Sequence, residues 1–231
     1  MSRRCPDGII KNRLCGGTAC SAVLSENCPV CGSGICHAGS SGGLRDGLCD
    51  GWADAVVEGS LMITLLKHCD RVRSASRAQL VNVIAPIMAE EHGPAWRQTT
   101  FYPFAEAALH ARGQAYAPAI SSPTIHTEAY GDVPAIDAVV TWDEQARTGL
   151  LLAVNRDANT PHTLTIDLSG LPGLPGLGTL ALGKAQLLHE DDPYRTNTAV
   201  TPQPLDIAMN ATGTCTATLP AISWISVEFH G

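Results

Sequence analysis

From Tyr116 onward the chain breaks into short apolar runs separated by Pro, Gly, Asn and Asp. A polypeptide punctuated at that interval buries its apolar residues most readily as short antiparallel strands, in a sandwich or jelly roll. The runs are Ala135 to Trp142, Leu150 to Val154, Thr163 to Leu168, Leu180 to Leu188 and Trp224 to Phe229. In the last, Ile225, Val227 and Phe229 alternate with Ser226 and Glu228, which predicts one buried and one wet face. The LPGLPGLG run from Leu171 to Gly178 reads as a turn-rich connection.

Upstream the period changes. Ala53, Val56, Val57, Leu61 and Leu65 recur at helical spacing, with Asp54 in the first turn and Lys67 and His68 in the last, each charge suited to its end of the helix dipole. Val72 to Pro86 then reads as a strand and its exit loop, Leu80, Val81, Val83 and Ile84 giving the apolar run of a strand covered on both faces. Gly93-Pro94 starts a second helix, with Phe101, Phe104, Ala105, Ala108 and Leu109 as its buried stripe, a kink at Pro103 and a stop at Gly113. Helix, strand, helix is the texture of the last part of a (β/α)8 barrel. The expected class is α+β: a partial (β/α)8-barrel edge followed by an antiparallel, jelly-roll-like β-sandwich. The expected division is 1–49 irregular and Cys/Gly-rich, 50–114 barrel-like, and 115–231 sandwich.

With 45% hydrophobic residues the 231-residue chain can bury a sizeable core, and a net charge of −7 with 16% charged residues leaves no basic stripe for nucleic acid or an anionic membrane. No run reaches the ~20 apolar residues of a membrane span, and no apolar segment follows the basic start, so the expected location is cytoplasmic. Seven of the nine cysteines fall in the first fifty residues. Cys28 and Cys31 form a CxxC knuckle to which Cys36 and His37, or Cys15 and Cys20, could add two zinc ligands. The favoured reading is an irregular segment with neither metal nor cofactor. Nine cysteines behind no signal peptide also argue against a disulfide scaffold.

The segments DAVVEGSLMITLLKHCDRVR (Asp54 to Arg73) and QLVNVIAPIMAEEHGPAWRQTTFYPF (Gln79 to Phe104), with the β-rich tail, resemble the C-terminal part of the family 51 α-L-arabinofuranosidases, glycoside hydrolases that release terminal arabinofuranose with retention of configuration. The resemblance runs from Asp54 to the end. It implies the end of a barrel packed beside a mostly structural sandwich. It also implies two catalytic glutamates, one following Asn and one in a DEWN-like strand motif, both upstream of the matched region. Neither motif occurs here, so the chain reads as a truncated C-terminal portion with no catalytic residue of its own. The match to QLVNVIAP makes Gln79 the expected arabinose contact, with Asn82 a weaker companion and Trp96 a residue able to stack on a sugar face. Arg73, Ser74, Ser76 and Arg77 are more polar than that barrel strand should be. The implied partners are an arabinofuranosyl oligosaccharide, if the barrel is completed, and a complementing N-terminal fragment or oligomer.

A retaining glycosidase needs two carboxyl groups about 5 Å apart. Of those available, Glu58 and Glu106 in helices, and Glu144 in a turn, read as solvated, while Glu90 and Glu91 follow the apolar run but are adjacent in one loop. Glu128 is a further carboxylate. His68, Cys69 and Asp70 point in different directions on a helix end, and His162, His189 and Asp191 read as isolated surface groups. The alternative function is a non-catalytic carbohydrate-binding or interaction module, which would display Trp142, Trp224, Tyr130 or Tyr194 on a sheet face.

Overall fold

The computed structural model describes residues 2–4, 51–77, 79–171, 180–192 and 201–231. Cys28, Cys31, Cys36, His37, Tyr194 and all but the first residue of the 171–178 connection lie outside them.

Two helices precede most of the strands: α1 (Trp52–Lys67) and α2 (Phe101–His110). Strand β1 (Ser2–Arg4) stands before α1, and the hairpin β2 (Ile87–Ala89) and β3 (Ala95–Arg97) lies between the helices. After α2 come β4 (Gln114–Tyr116), β5 (Thr124–Thr127), β6 (Gly131–Pro134), β7 (Ile136–Asp143), β8 (Thr148–Asn155) and β9 (His162–Asp167). The chain closes with β10 (Ala181–Leu188), β11 (Gln203–Pro204), β12 (Ile207–Met209), β13 (Thr214–Leu219) and β14 (Ser223–His230).

Seven strands pair in the order β1-β4-β7-β8-β14-β10-β11, and three more as β12-β13-β9. Every pairing in both sheets is antiparallel. The central strands β7, β8 and β14 are apolar almost throughout because both of their faces are covered. On one face Ala138, Val140, Trp142, Leu151, Ala153, Ile225, Val227 and Phe229 meet Ile166, Cys215, Ala217 and Leu219 of the smaller sheet. On the other, Val139, Leu150, Leu152, Val154 and Trp224 meet Ala55, Val56, Ile63 and Leu66 of α1 and Phe104 and Ala107 of α2. The result is three layers, helices over the large sheet over the small one, and each large side chain removed from water contributes ~1.5–3 kcal/mol.

This layering corrects the expected wet face of β14. Ser226 is buried and Glu228 half-buried, because α2 covers the side on which they lie. The outer edge of the large sheet at β10 is closed by the two-residue β11, where Gln203 pairs with Leu187 and Pro204 with Gln186.

The first helix forms as expected. The Gly51 N–H donates to the Asp54 carboxylate at 2.7 Å across the first turn, and Lys67 in the last turn forms an ion pair with Asp137 of β7. The second helix starts well after the expected Gly93-Pro94, and of its expected stripe Phe104 is buried while Leu109 is 64% exposed. Gly93-Pro94 closes a turn, with the Gly93 N–H donating to Glu90 O and the Glu90 N–H to Pro94 O, and the chain returns as β3 before entering α2 at Phe101. Pro103 therefore falls in the first turn of α2, where no intrahelical acceptor exists for an N–H, and it breaks no helical bond.

The largest departure concerns residues 72–86, where no strand forms among the described residues. Asn82 and Val83 both take left-handed backbone angles, with φ of 62° and 58°, and only one isolated bridge joins Val81 to Ile87. Leu80, Val83 and Ile84 are each 50% exposed and Val81 44%. An apolar run becomes a two-sided strand only when strands flank it and layers cover it, and none of the described residues does either. None of the described helices is long and apolar enough to cross a membrane.

Candidate functional site

The segment from Arg77 to Thr99 is tied to α1 at both ends and braced within itself by Gln98. Arg77 forms an ion pair with Glu58 of α1 at 2.9 Å. Gln98 is 1% exposed, donates its side-chain amide to Ala85 O and its backbone N–H to Pro86 O, both at 2.8 Å. Thr99 donates its hydroxyl to Gly51 O at 2.8 Å, at the N-terminus of α1. Buried amides of this kind fix a loop because each unmade hydrogen bond would cost ~1–3 kcal/mol.

Within this frame Asn82 is a structural pin. Its backbone N–H donates to Ile87 O at 2.8 Å, and its side-chain oxygen accepts from the Ala89 N–H at 2.7 Å. That places Asn82 against β2, whose Met88 pairs with Trp96 of β3. Asn82 is thus bonded to the hairpin that carries the half-buried Trp96, while Gln79 is exposed three residues before Asn82. Beyond the hairpin the Arg97 guanidinium lies over the Phe101 ring, 4.7 Å from its centroid. Burial pushes the Tyr102 phenol above its ordinary pKa, and the positive charge of Arg97 partly offsets the rise.

The carboxylates sort differently from the sequence expectation. Glu90, Glu91, Glu128 and Glu144 are exposed. Glu58 and Glu106 are not solvated: Glu58 is covered and answered by Arg77, and Glu106 accepts from Gln186 Nε2 at 2.7 Å. The polarity of Arg77, out of place in an apolar strand, is explained by this partner one helix away. The role of Gln98 was missed because a single glutamine between polar neighbours carries no periodic signal.

Other expectations also change. His162 is no isolated surface group, since its Nε2 lies 3.0 Å from Asp157 Oδ2 with both side chains largely covered. His189 is mostly covered too, its Nδ1 3.3 Å from Ile222 O. Trp142 and Trp224 are both fully buried, Trp142 stacked on Phe229 with ring centroids 5.7 Å apart. Of the four aromatics that a sugar-binding sheet face would have used, Tyr130 is the exposed one among the described residues.

Chemically, the loop offers an exposed amide at Gln79 and a partly open indole at Trp96, a combination suited to hydroxyl-rich ligands.

The chain matches the family described as the α-L-arabinofuranosidase C-terminal domain over residues 46–223. It is 97% identical over 184 residues to an intracellular exo-α-(1→5)-L-arabinofuranosidase of Bifidobacterium longum, a match covering 78% of this chain and 32% of that one. A solved family 51 α-L-arabinofuranosidase from Bifidobacterium longum superposes with a TM-score of 0.73 at 89% identity, over 79% of this chain and 34% of that one. The family 51 arabinofuranosidase of Xanthomonas axonopodis shares the fold at 22% identity, with a TM-score of 0.67 over 79% and 36% of the two chains. The matched part of the chain thus spans 22% to 34% of the length of these and the other curated relatives it resembles.

Proposed function

The chain belongs to the α-L-arabinofuranosidase C-terminal domain family, as a C-terminal segment of a family 51 glycoside hydrolase, and from that premise we propose that it serves the retaining hydrolysis of terminal α-L-arabinofuranosides without supplying the catalytic carboxylates. The observation carrying this reading is the 97% identity, sustained over 184 residues, with a relative named for exo-α-(1→5) cleavage. In this reading α1, the 72–86 segment and α2 form the last part of a (β/α)8 barrel, and residues 115–231 are the sandwich beside it. The exposed apolar run at Leu80, Val81, Val83 and Ile84 supports it, because such a run becomes a barrel strand once neighbouring strands are supplied. Gln79, Asn82 and Trp96 then sit at the sugar, Gln79 by amide hydrogen bonds to hydroxyls and Trp96 by stacking. Asn82 acts by holding the hairpin that carries Trp96. The partner that completes the site is the upstream part of a family 51 chain, and the expected compartment is that of the relatives called intracellular.

The test is hydrolysis of an aryl α-L-arabinofuranoside by the purified chain, alone and mixed with an upstream fragment of a family 51 relative. The expected result is no turnover alone and turnover on mixing, reduced at least ~10-fold by Gln79→Ala through lost transition-state hydrogen bonds. Turnover by the unmixed chain that survives purification would refute the assignment of the carboxylates elsewhere.

The alternative of an independent sugar-binding module has less support. It needs aromatics on an open sheet face, whereas Trp142 and Trp224 are committed to the two cores.

A further inference from the structure

Away from the loop, helix α2 brings two side chains down onto the large sheet. Glu106 and His110 stand one turn apart on α2, and Glu228 of β14 faces them. His110 Nε2 lies 3.8 Å from Glu106 Oε2, and His110 Nδ1 lies 3.9 Å from Glu228 Oε1. One donor atom from each of the three residues falls within 4.8 Å of the others. At these separations the imidazole hydrogen-bonds to neither carboxylate.

The two oxygens of Glu106 are treated differently. Oε1 accepts from Gln186 Nε2 at 2.7 Å, and Lys184 Nζ approaches it at 3.4 Å. Oε2, on the side of His110, is shielded from water and has no hydrogen-bond partner. A buried carboxylate oxygen left unpaired costs ~1–3 kcal/mol or more, so one aimed at an imidazole and a second carboxylate calls for an occupant. A small cation would answer both carboxylates at once, and the three donor atoms are near enough to one another to share it.

We propose that Glu106, His110 and Glu228 bind a divalent transition-metal ion, with Zn2+ the best match to one imidazole nitrogen, two carboxylate oxygens and a water. Ligands held ~2.0–2.2 Å from a tetrahedral ion lie roughly 3.3–3.6 Å apart, so donor atoms now up to 4.8 Å from one another close by as much as ~1.5 Å on binding. His110 is 39% side-chain exposed and free to make that move. Gln186, itself hydrogen-bonded to Ser226 Oγ at 3.3 Å, holds the Glu106 carboxylate from behind and orients Oε2 toward the ion. Lys184 is the one nearby competing cation among the described residues. It contacts the other oxygen, is 57% exposed, and stands at the register shift of β10 between Leu182 and Ala185, from which it can turn to solvent. The bound ion ties the last turn of α2 to β14.

The test uses the whole chain, stripped of metal and alkylated with iodoacetamide in its native state so that any thiol the reagent reaches cannot bind zinc. Equilibrium dialysis against Zn2+ should then find one ion per chain, with a rise in melting temperature. His110→Ala and Glu228→Gln should each weaken binding at least ~10-fold, the loss that even an outer-shell partner can cause, and should abolish the zinc-dependent rise. No zinc on the alkylated wild type, or wild-type affinity in either variant, overturns the proposal. Because His110 is exposed and the decisive wild-type measurement needs no substitution, misfolding of a variant cannot rescue the idea.

Discussion

Gly59 of α1 lies directly against Trp224 of β14. A Cβ placed on Gly59 would collide with Trp224 Cδ1 and stand 3.0 Å from Nε1 and 3.2 Å from Val154 Cγ1. In an open helix Gly→Ala stabilises by ~0.5–1 kcal/mol through propensity alone. Here the sign reverses, because the indole is fully buried between helix and sheet and has nowhere to shift. Gly59→Ala should destabilise the chain by about 1–3 kcal/mol, as overpacked cores do. Urea denaturation followed by Trp fluorescence measures it, and a rise in midpoint would contradict the tight contact.

Asn155 is the buried polar clasp of the strand ends. Its Nδ2 donates to Thr160 O at 3.0 Å, Leu219 O at 3.2 Å and Pro220 O at 2.8 Å, while Oδ1 accepts from the Asp157 N–H at 3.0 Å. Asn155→Asp replaces the donor with an acceptor facing three carbonyls, so it should cost more than Asn155→Ala. Both should lower stability by roughly 2–4 kcal/mol, the upper range for several buried groups left unpaired. Equal stability of the Asp variant and wild type at neutral pH would refute the donor role.

Asp157 makes the fold acid-sensitive. Burial works against its ionisation, but hydrogen bonds from the Asn159 N–H, the His162 ring and the Thr160 N–H outweigh it and hold the carboxyl below its ordinary pKa. A carboxyl whose folded pKa is depressed stabilises the native state fully above its unfolded value of ~3.9, and that contribution disappears as pH falls through the lower folded value. Asp157→Asn should therefore be less stable than wild type at pH 7 and approach it as pH drops below about 4. Chemical denaturation across this range decides the matter, and a stability gap independent of pH would exclude the linkage.

Gly113 turns the chain from α2 into β4 with φ of 78°, and a Cβ there would collide with Trp142 O and lie 2.6 Å from Asp143 Cα. The obstacle is backbone of the central strand, which cannot move aside. Gly113→Ala should cost ~1–2 kcal/mol for the left-handed conformation, plus the clash. Thermal melting should register a clear fall, whereas Gly131→Ala, also at positive φ but with open space around it, should cost only the conformational part.

What the sequence reveals here depends on whether the deciding partner is near. Strands β7, β8, β10 and β14 announce themselves through apolar runs, and α1 through its spacing and charged ends. Strand β13 went unread because TCTATL alternates Thr with small residues, too weakly apolar to signal a buried face. The wet face assigned to β14 failed because its cover, α2, arrives from more than a hundred residues away. At Gly93-Pro94 one dipeptide satisfies the rules for both a helix start and a turn, and only the pairing of Met88 with Trp96 chooses between them. In the loop, Gln79, Asn82 and Trp96 were nameable through family resemblance. The pin Arg77 is set by Glu58 of α1 and the pin Gln98 by Ala85 at the far side of the same loop, neither of which local pattern contains.

The proline in β11 bears on how this chain meets other chains. A sheet grows by recruiting a new strand onto a free row of N–H and C=O groups, and Pro204 has no N–H to present. With only two residues paired, the row is also too short to dictate a register. Polymerisation by strand addition is thus discouraged on the β10 side, and any docking there must proceed by surface against surface.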